Sequence, residues 1–190
     1  MQYKKETFKQ KLLAECKKEF LTYGYALSSL NRIAKNSDIT AGNIYRYYAG
    51  KAEILEEIVA PAYNEVPSMI EHLTAIFPSM TYDETCETLC KTLVNIYKVY
   101  GDSLLILANK CADTVYQDFS TKLIHAVKKV LLKKLFKSPS KDDEIFVIIC
   151  SKSLVTSVFD VYELGYGERE MGAIINRILN YHFYKINERI

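Results

Sequence analysis

The sequence predicts an all-α fold, and three observations lead to that prediction. Apolar residues recur at intervals of three and four along most of the 190-residue chain, which is typical of amphipathic helices. Only 7 Gly and 4 Pro are present, too few for the closely spaced turns of an all-β sandwich. Hydrophobic residues make up 49% and charged residues 25%, so the composition is that of a globular chain. We expect about nine helices.

The first predicted helix covers residues 3–23, and Gly24 is placed to end it, as glycine commonly does just past a helix. A short second helix follows over residues 30–37, with Ser28 or Ser29 as its N-cap. Lysines fill the polar face of the first helix, while its apolar residues recur every four positions: Phe8, Leu12, Cys16 and Phe20.

A third helix is expected over residues 41–47, capped by Thr40 after a tight turn at Asp38. Lys51 then opens a fourth helix. Ala34 is small at the point where the two short helices must cross closely. Two short helices one turn apart are typical of the helix-turn-helix motif, in which the second helix enters the major groove of DNA.

Charge is concentrated at the N-terminal end of the chain. Residues 1–52 hold ten Lys and Arg against four Asp and Glu, a net charge of +6, whereas residues 53–190 carry a net charge of −4. A basic first quarter indicates a polyanionic partner. Lysines on the solvated face of an ordinary helix would give the same imbalance.

The motifs between residues 12 and 55 resemble the N-terminal domain of the TetR family of bacterial repressors. That family reads roughly G-Y-x-x-T-S and a hydrophobic residue, then I-A, then G-V-S-x-G-T-L-Y-x-Y-F, then K-x-x-L. The matching segments are Gly24-Tyr25, Ser28-Ser29-Leu30, Ile33-Ala34, Ile39-Thr40, Gly42-Asn43-Ile44-Tyr45-Arg46-Tyr47-Tyr48 and Lys51-Ala52-Glu53-Ile54-Leu55.

The chain departs from the family pattern at three positions. Asp38 stands where the family usually has Gly, and Asp tolerates the left-handed conformation better than most residues do. Ala41 replaces the frequent Lys, Pro or Arg, and Asn43 replaces the commoner Thr. Because the last two lie on the recognition helix, the family's base preference does not carry over.

The resemblance implies a three-helix DNA-binding domain over residues 1–50 and a helical effector-binding and dimerisation domain over residues 51–190. It implies a ligand-responsive transcriptional regulator that binds a palindromic operator as a homodimer and is a repressor released by a small molecule. One alternative is a sensing module for a small molecule or a soft metal, with weak or no specific DNA binding. Another is a helical interaction protein with no DNA partner.

The predicted DNA-binding residues share a place on or beside the third helix. The free N–H groups at its start favour phosphate or base acceptors, Gly42 allows close approach of the backbone, and Asn43 can pair with a base edge. Arg46 can contact phosphate or guanine, and the Lys51 ammonium would clamp a flanking phosphate. The set is Ser28, Ser29, Thr40, Ala41, Gly42, Asn43, Tyr45, Arg46, Tyr47 and Lys51.

These residues also have structural interpretations. Capping of the second helix explains Ser28 and Ser29 without any DNA contact. Exposed Asn43 and Arg46 need no partner at all. Ile44 and Tyr48 are expected in the core beneath the recognition helix.

The rest of the chain is expected to be helical, with Pro61 and Pro67 interrupting or kinking the segment that leads to Phe77. Gly101 and the loop at residues 137–140 are further breaks. The later helices are predicted over residues 83–100, 103–110, 113–136, 142–164 and 168–186.

The last two predicted helices carry more apolar positions than a thin terminal layer can bury. In the TetR family the last two helices pair with those of a second subunit, so the resemblance implies a homodimer; ordinary intramolecular core is the alternative. The interface residues expected are Ile149, Val155, Phe159, Ile174, Ile178 and Tyr181.

The middle helices of that family enclose a small-molecule pocket, and ligand binding there moves the DNA-reading heads apart. Polar or aromatic residues amid apolar ones are the candidates to line it, although each could equally be core or surface. They are Phe77, Cys90, Asn95, Tyr97, Asn109, Asp113 and Tyr116.

No cofactor, metal or catalytic activity is expected. Cys86 and Cys90 lie four residues apart and could bind a soft metal or sense oxidation, but metal sites need three or four ligands. The three histidines are scattered, and no glycine-rich loop supports catalysis. No apolar run approaches the roughly 20 residues of a membrane-spanning helix, and no secretory signal is visible. We therefore expect a cytoplasmic protein with reduced cysteines.

Overall fold

The computed structural model describes residues 2–37 and 39–184, apart from the side chains of residues 2–7, Thr74 and Pro78. The all-α prediction is confirmed, with eight α-helices in this part of the chain instead of about nine. Asp38, expected in the tight turn, lies outside the described residues. The helices are α1 (Gln2–Leu27), α2 (Leu30–Asn36), α3 (Ala41–Tyr45), α4 (Lys51–Ile76), α5 (Tyr82–Asn109), α6 (Phe119–Leu135), α7 (Lys141–Glu163) and α8 (Glu168–Phe183).

The chain divides into two compact units. The first unit consists of Met1–Tyr63 together with Asp102–Gln117. The second unit consists of Asn64–Gly101 together with Asp118–Ile190. The first unit is therefore discontinuous in sequence, because α4 and α5 each contribute residues to both units.

The core of the first unit forms where the sequence pattern predicts it. Leu12, Cys16 and Phe20 on α1 are almost fully buried. Apolar residues of α2, α3, α4 and the end of α5 complete this core: Ile33, Ala34, Ile44, Ile54, Leu55, Ile58, Val59, Leu104, Ile106 and Leu107. The four-residue spacing on α1 places its apolar side chains on one face, which is the buried one.

Two glycines interrupt helices at the predicted places. Gly24 lies inside α1 with φ 71° and ψ 167°, and Gly101 lies inside α5 with φ 20° and ψ −102°. The conformation at Gly24 is close to one that only glycine adopts readily. The chain after Gly24 continues for one more turn, to Leu27, before α2 begins.

Two expectations for the middle of the chain are wrong. Pro61 and Pro67 do not interrupt α4, which is one helix from Lys51 to Ile76. Burial of Ala62, Val66 and Ile70 on one face stabilises the helix across both prolines.

The helix predicted from residue 113 begins only at Phe119. Asp113 has φ 62°, a left-handed conformation that an α-helix cannot include. Residues 112–118 instead form turns, in which the Thr114 hydroxyl donates to the carbonyl of Cys111 at 2.7 Å.

The second unit is built around α6, α7 and α8, with the first part of α5. The N-terminus of α7 has a capping box, in which the Ser140 hydroxyl accepts from the Asp143 N–H and the Asp143 carboxylate accepts from the Ser140 N–H. The core includes Phe119, Leu123 and Val130 of α6, Val147, Leu154, Val158 and Tyr162 of α7, and Met171, Ile175 and Leu179 of α8.

Helix α7 corrects the expectation that no segment could span a membrane. Within the described residues it is the one helix long and apolar enough to do so, with a mean hydropathy of 1.7 over its best window, of which 44% is buried inside the protein. Polar residues are spread through it, so no long apolar run marks it in the sequence. The core helices of globular proteins often have the same length and hydropathy, so this helix alone does not indicate a membrane protein.

Replacing Gly24 with Ala tests the kink in α1. We expect Gly24→Ala to lower the free energy of unfolding by about 1–3 kcal/mol, because an L-residue is strained at this backbone conformation. Gly50→Ala is the control, since a Cβ there meets nothing within 4 Å and φ is not left-handed. Equal stability of the two variants in chemical denaturation would contradict the expectation.

Candidate nucleic-acid interface

Side-chain caps fix the two short helices that carry the interface. The Ser29 hydroxyl accepts from the Arg32 N–H at 3.4 Å and caps α2. The Thr40 hydroxyl accepts from the Asn43 N–H at 3.3 Å and caps α3, as predicted. Five residues cannot form a stable helix alone, so α3 depends on its caps and on burial of Ile44.

One face of α3 is open to solvent. Thr40, Gly42, Tyr45 and Arg46 are exposed, with Tyr45 retaining 58% of its accessible surface. Ala41, Asn43 and Tyr47 are partly exposed. These are the residues that sequence reasoning placed on the DNA-reading face, and the fold brings them together along and just after one helix.

The opposite side of α3 and the turn after it are held in the core. Ile44 and Tyr48 are buried, as expected, and the Tyr48 hydroxyl donates to the Glu57 carboxylate at 2.9 Å. The Tyr47 ring packs against Phe8 of α1 with 5.0 Å between ring centroids. Burial, followed by the hydrogen bond to Glu57, raises the pKa of Tyr48, so its hydroxyl is neutral at physiological pH.

An ion pair between buried Glu19 and partly exposed Arg32 joins α1 to α2. The Glu19 carboxylate is only 5% exposed, and it accepts from the Arg32 Nε at 2.8 Å, from the Arg32 Nη2, and from the Ser29 N–H at 2.8 Å. The Arg32 guanidinium also lies 3.9 Å over the Tyr23 ring and donates to the Leu27 carbonyl. Burial by itself raises the pKa of Glu19, but the hydrogen bonds from Arg32 and Ser29 outweigh it, and the net pKa is below its usual value.

The Lys51 ammonium is bound inside the first unit. It donates to the carbonyl of Tyr25, to that of Ser28 at 3.2 Å and to that of Ala26 at 3.4 Å, and it lies 4.4 Å from the centre of the Tyr25 ring. Burial lowers the pKa of Lys51, although the nearby charge of Glu19 opposes this. The phosphate contact expected of Lys51 stays a prediction.

Ser28 and Ser29 also have internal partners. Ser28 is buried, and its hydroxyl donates to the Tyr25 carbonyl at 2.7 Å. Ser29 is the N-cap of α2. Their DNA contacts likewise stay predictions, and capping accounts for Ser29 in the free protein.

Sequence reasoning missed Glu19 and Arg32. Both are charged residues in a helical pattern, where charge normally indicates a solvated face. They lie thirteen positions apart in the sequence, a separation that no helical periodicity would pair across the break at Gly24. The available signal was local: Glu19 falls among the apolar positions Cys16 and Phe20 of α1, where an unpaired carboxylate would be costly.

Comparison with known proteins identifies the family. Residues 12–58 match the model of the bacterial regulatory proteins of the tetR family. Residues 12–58 therefore carry the DNA-binding domain of the TetR family. A curated relative described as the uncharacterized HTH-type transcriptional regulator YhgD, from Bacillus subtilis (strain 168), is 19% identical over 160 residues, which cover 80% of this chain and 83% of that protein. The chain is thus a DNA-binding transcriptional regulator, and this family is generally non-enzymatic.

Two solved structures share the fold of this chain. One is NalD, the secondary repressor of the MexAB-OprM multidrug efflux pump in Pseudomonas aeruginosa, with a TM-score of 0.54 at 14% identity over 94% of this chain and 96% of that one. The other comes from work on the molecular basis for control of antibiotic production by bacterial hormones. Its TM-score is 0.53 at 15% identity, over 94% of this chain and 96% of that one. At these identities the likeness is one of fold.

The seven expected effector residues are divided between the two units, and their role in an effector pocket stays a prediction. Asn109, Asp113 and Tyr116 belong to the first unit, and the other four belong to the second. Their environments also differ: Phe77 is buried, Asn95, Asn109 and Asp113 are exposed, and Cys90, Tyr97 and Tyr116 are partly buried. Tyr97 packs on Tyr162 at 4.7 Å, and Tyr116 packs on Tyr63 at 5.0 Å.

Cys90 does line a cleft of about 590 Å³ in the second unit. The cleft runs between α5 and α8, and Gly172 and Ala173 leave room for it. The Cys90 thiol donates to the Gly172 carbonyl at 3.2 Å. The other lining residues are Asp83, Cys86, Glu87, Lys91, Asn176 and Asn180.

The metal and redox alternatives gain no support from the cysteines. All five are free thiols, and burial raises the pKa of Cys86, Cys90 and Cys111, the last to about 11. Thiols held protonated are poor nucleophiles and poor metal ligands. Across residues 2–37 and 39–184, no group of three or more His, Cys, Asp or Glu could hold a metal ion.

The six expected interface residues fall into two groups. Ile149 and Tyr181 are 63% and 80% exposed, and Ile174 and Ile178 are partly exposed. Val155 and Phe159 are buried inside the second unit, where Phe159 packs edge-on against Phe119 and Tyr162.

Acid titration tests the Glu19–Arg32 pair. Because the folded-state pKa of Glu19 is lowered, its stabilisation is present above the unfolded pKa of about 4.3 and is lost as pH falls through the folded value. At pH 7 we expect Glu19→Gln to lower the free energy of unfolding by about 1–3 kcal/mol, and we expect the difference from wild type to shrink by pH 3. Glu87→Gln, in the exposed Lys91 pair, is the control and should cost under about 1 kcal/mol. A difference that is constant with pH would contradict this account.

Gly42→Ala separates folding from DNA approach. A Cβ at Gly42 meets no closer atom than the Thr40 Oγ1 at 3.9 Å, so the fold does not require glycine there. We expect the variant to be more stable by about 0.5–1 kcal/mol, because alanine favours the helix. We expect its operator affinity to fall by about 1–3 kcal/mol, because the methyl group is forced into the contact with DNA. Unchanged affinity in a binding titration would show that the backbone at Gly42 does not approach DNA.

Proposed function

We propose that this regulator is a homodimeric repressor that binds a palindromic operator through α3 and leaves it when a small molecule binds the second unit. Residues 1–50 carry DNA binding, and residues 51–190 carry dimerisation and effector binding. The protein acts in the cytoplasm, where its DNA is. The observation that carries the proposal is the open face of α3 on a buried, capped support.

The chemistry of that face suits the major groove. Asn43 offers an amide that can pair with adenine, and the backbone at Gly42 can lie close to the DNA. Arg46 and Tyr45 extend from the end of α3, where they can reach phosphates or, for Arg46, a guanine. Phosphate contacts by such groups fix the register, and base contacts supply the specificity.

Dimerisation is supported by the exposed apolar side chains of α7 and α8. The Ser153 hydroxyl and the His182 Nε2 are 3.2 Å apart across the helix pair; Ile149 lies one turn from Ser153, and Tyr181 is next to His182. Ile174 and Ile178 are partly exposed on α8, whereas Val155 and Phe159 are buried within the second unit. Exposed apolar side chains on neighbouring helices are typical of an interface.

A two-fold dimer explains a palindromic operator. Two copies of α3 related by the symmetry axis would enter major grooves one helical turn apart, about 34–36 Å. For effector binding we favour the Cys90 cleft, because it joins thiol and amide groups to a wall without large side chains.

The function is tested by selecting bound DNA from a random duplex pool with the purified protein at two salt concentrations. We expect a palindromic consensus that survives the higher salt, with affinity falling steeply as salt rises because phosphate contacts release counterions. Recovery of unselective, salt-labile DNA alone would overturn the repressor proposal and favour a sensing module.

A charged residue in the α7–α8 surface tests the dimer. We expect Ile149→Glu to convert the dimer to monomer in sedimentation at micromolar concentration, because an unpaired carboxylate would be buried in the interface. Operator affinity should fall with it, as each monomer holds one half-site.

Val115→Glu is the matched control, because Val115 is 79% exposed and lies in the first unit. Dissociation of both variants, or of neither, would place the interface elsewhere.

A further inference from the structure

We propose that Lys51 is a positioning residue for the recognition helix, whose ammonium fixes the junction between α1 and α2 from inside the protein instead of clamping a DNA phosphate. We call residues 24–29 the α1–α2 junction. The inference rests on the proposed role of α3 as the helix that reads the operator. The junction makes contacts on three sides, with α1, α4 and the end of α5.

The Lys51 ammonium donates its hydrogen bonds to carbonyl groups of the junction. An ammonium has three N–H donors and no acceptor, and three carbonyls of the junction lie within reach: Tyr25, Ala26 and Ser28. The Tyr25 ring covers it at 4.4 Å. A phosphate contact would require at least one of these carbonyls to give up its donor.

The junction needs such a cation because of Gly24. The non-helical backbone at Gly24 breaks the regular hydrogen bonding of α1, and two residues, Ser28 and Ser29, separate the end of α1 from α2. Carbonyls at a helix end lack intrahelical donors and carry partial negative charge, so a positive side chain stabilises them. Lys51 is the first residue of α4 and supplies that charge from another helix.

Two other elements hold the same segment. The Tyr25 N–H donates to the Lys110 carbonyl at 2.8 Å, just past the end of α5. The Glu19 carboxylate accepts the Ser29 N–H at 2.8 Å from the side of α1. The charge of Glu19 also acts on Lys51, so the anion and the cation support each other across the junction.

The position of α3 follows from that of the junction. Ser29, the last residue of the junction, is the N-cap of α2. Helix α2 in turn packs against α3 through buried Ile33, Ala34 and Ile44, and the Ile39 N–H donates to the Ala34 carbonyl at 3.0 Å. A shift at residues 24–29 therefore moves α2 and tilts the face that α3 presents to DNA.

Lys51→Met is the decisive variant, because methionine keeps most of the apolar stem and removes the charge. If Lys51 contacts a phosphate, its loss in the variant should make the slope of log affinity against log salt concentration shallower by about 0.9. If Lys51 only positions α3, the slope should not change. We expect the affinity for the selected operator to fall about tenfold or more with the slope unchanged, while affinity for unrelated DNA stays the same. Titrations are run well below the unfolding temperature, so that every variant is folded.

Two further variants calibrate this result. Arg46→Met, on the open face, should lower the slope by about 0.9 and weaken binding to all sequences, as loss of a phosphate contact does. Lys137→Met changes an exposed lysine in the loop between α6 and α7 and should match wild type. A slope reduced in Lys51→Met as in Arg46→Met would overturn the proposal. A lowered unfolding temperature with unchanged operator affinity would reduce Lys51 to a structural residue and overturn it as well.

Hydrogen exchange without DNA gives an independent result. We expect Lys51→Met to speed amide exchange in residues 25–45 relative to the second unit, because the junction opens more often. Unchanged exchange in that segment would overturn the proposal. If the wild-type protein selects no operator, the repressor proposal fails, and the exchange measurement alone decides whether Lys51 holds the junction.

Discussion

The buried carboxylate of Glu19 is the interaction on which the arrangement of the DNA-binding helices depends. It ties α1 to Arg32 in the middle of α2 and to the first N–H of the α2 cap. A charge so little exposed is tolerable only with such partners, since a carboxylate left alone in the core would be costly. Its hydrogen bonds therefore favour one orientation of α2 over alternatives that pack as well.

The polar groups beneath α3 complement its apolar support. Packing of Ile33 and Ile44 stabilises the contact between α2 and α3 but would allow the two helices to shift against each other, because apolar contacts have little directionality. The bonds from Glu19, Arg32, Tyr48 and Lys51 are directional and restrict that freedom. As a result, the outer face of α3 is exposed to solvent, while the charged groups of Glu19, Arg32 and Lys51 are hydrogen-bonded within the protein.

The sequence predicts the helices of the first unit and the exposed face of α3, but not the hydrogen bonds that fix the helices in place. Periodicity and caps predicted α1, α2 and α3, because those signals are local. The continuity of α4 through Pro61 and the late start of α6 after Asp113 depend on burial and on one backbone angle, which no residue pattern reveals. The partner of Lys51 could not be predicted either, because a lysine at a helix start suits phosphate and carbonyl oxygen equally.

Because the first unit consists of two separate stretches of sequence, it limits how chimeras of this protein can be designed. A chimera cut after residue 50, or even after Tyr63, would leave behind Asp102–Gln117, which includes core residues Leu104 and Leu107 and the carbonyl of Lys110. The transplanted N-terminal segment would then expose apolar surface and would lose the hydrogen bond from the Tyr25 N–H to the Lys110 carbonyl, next to the kink at Gly24. A working exchange of operator specificity must therefore carry both stretches, or change only the solvent-facing residues of α3 in place.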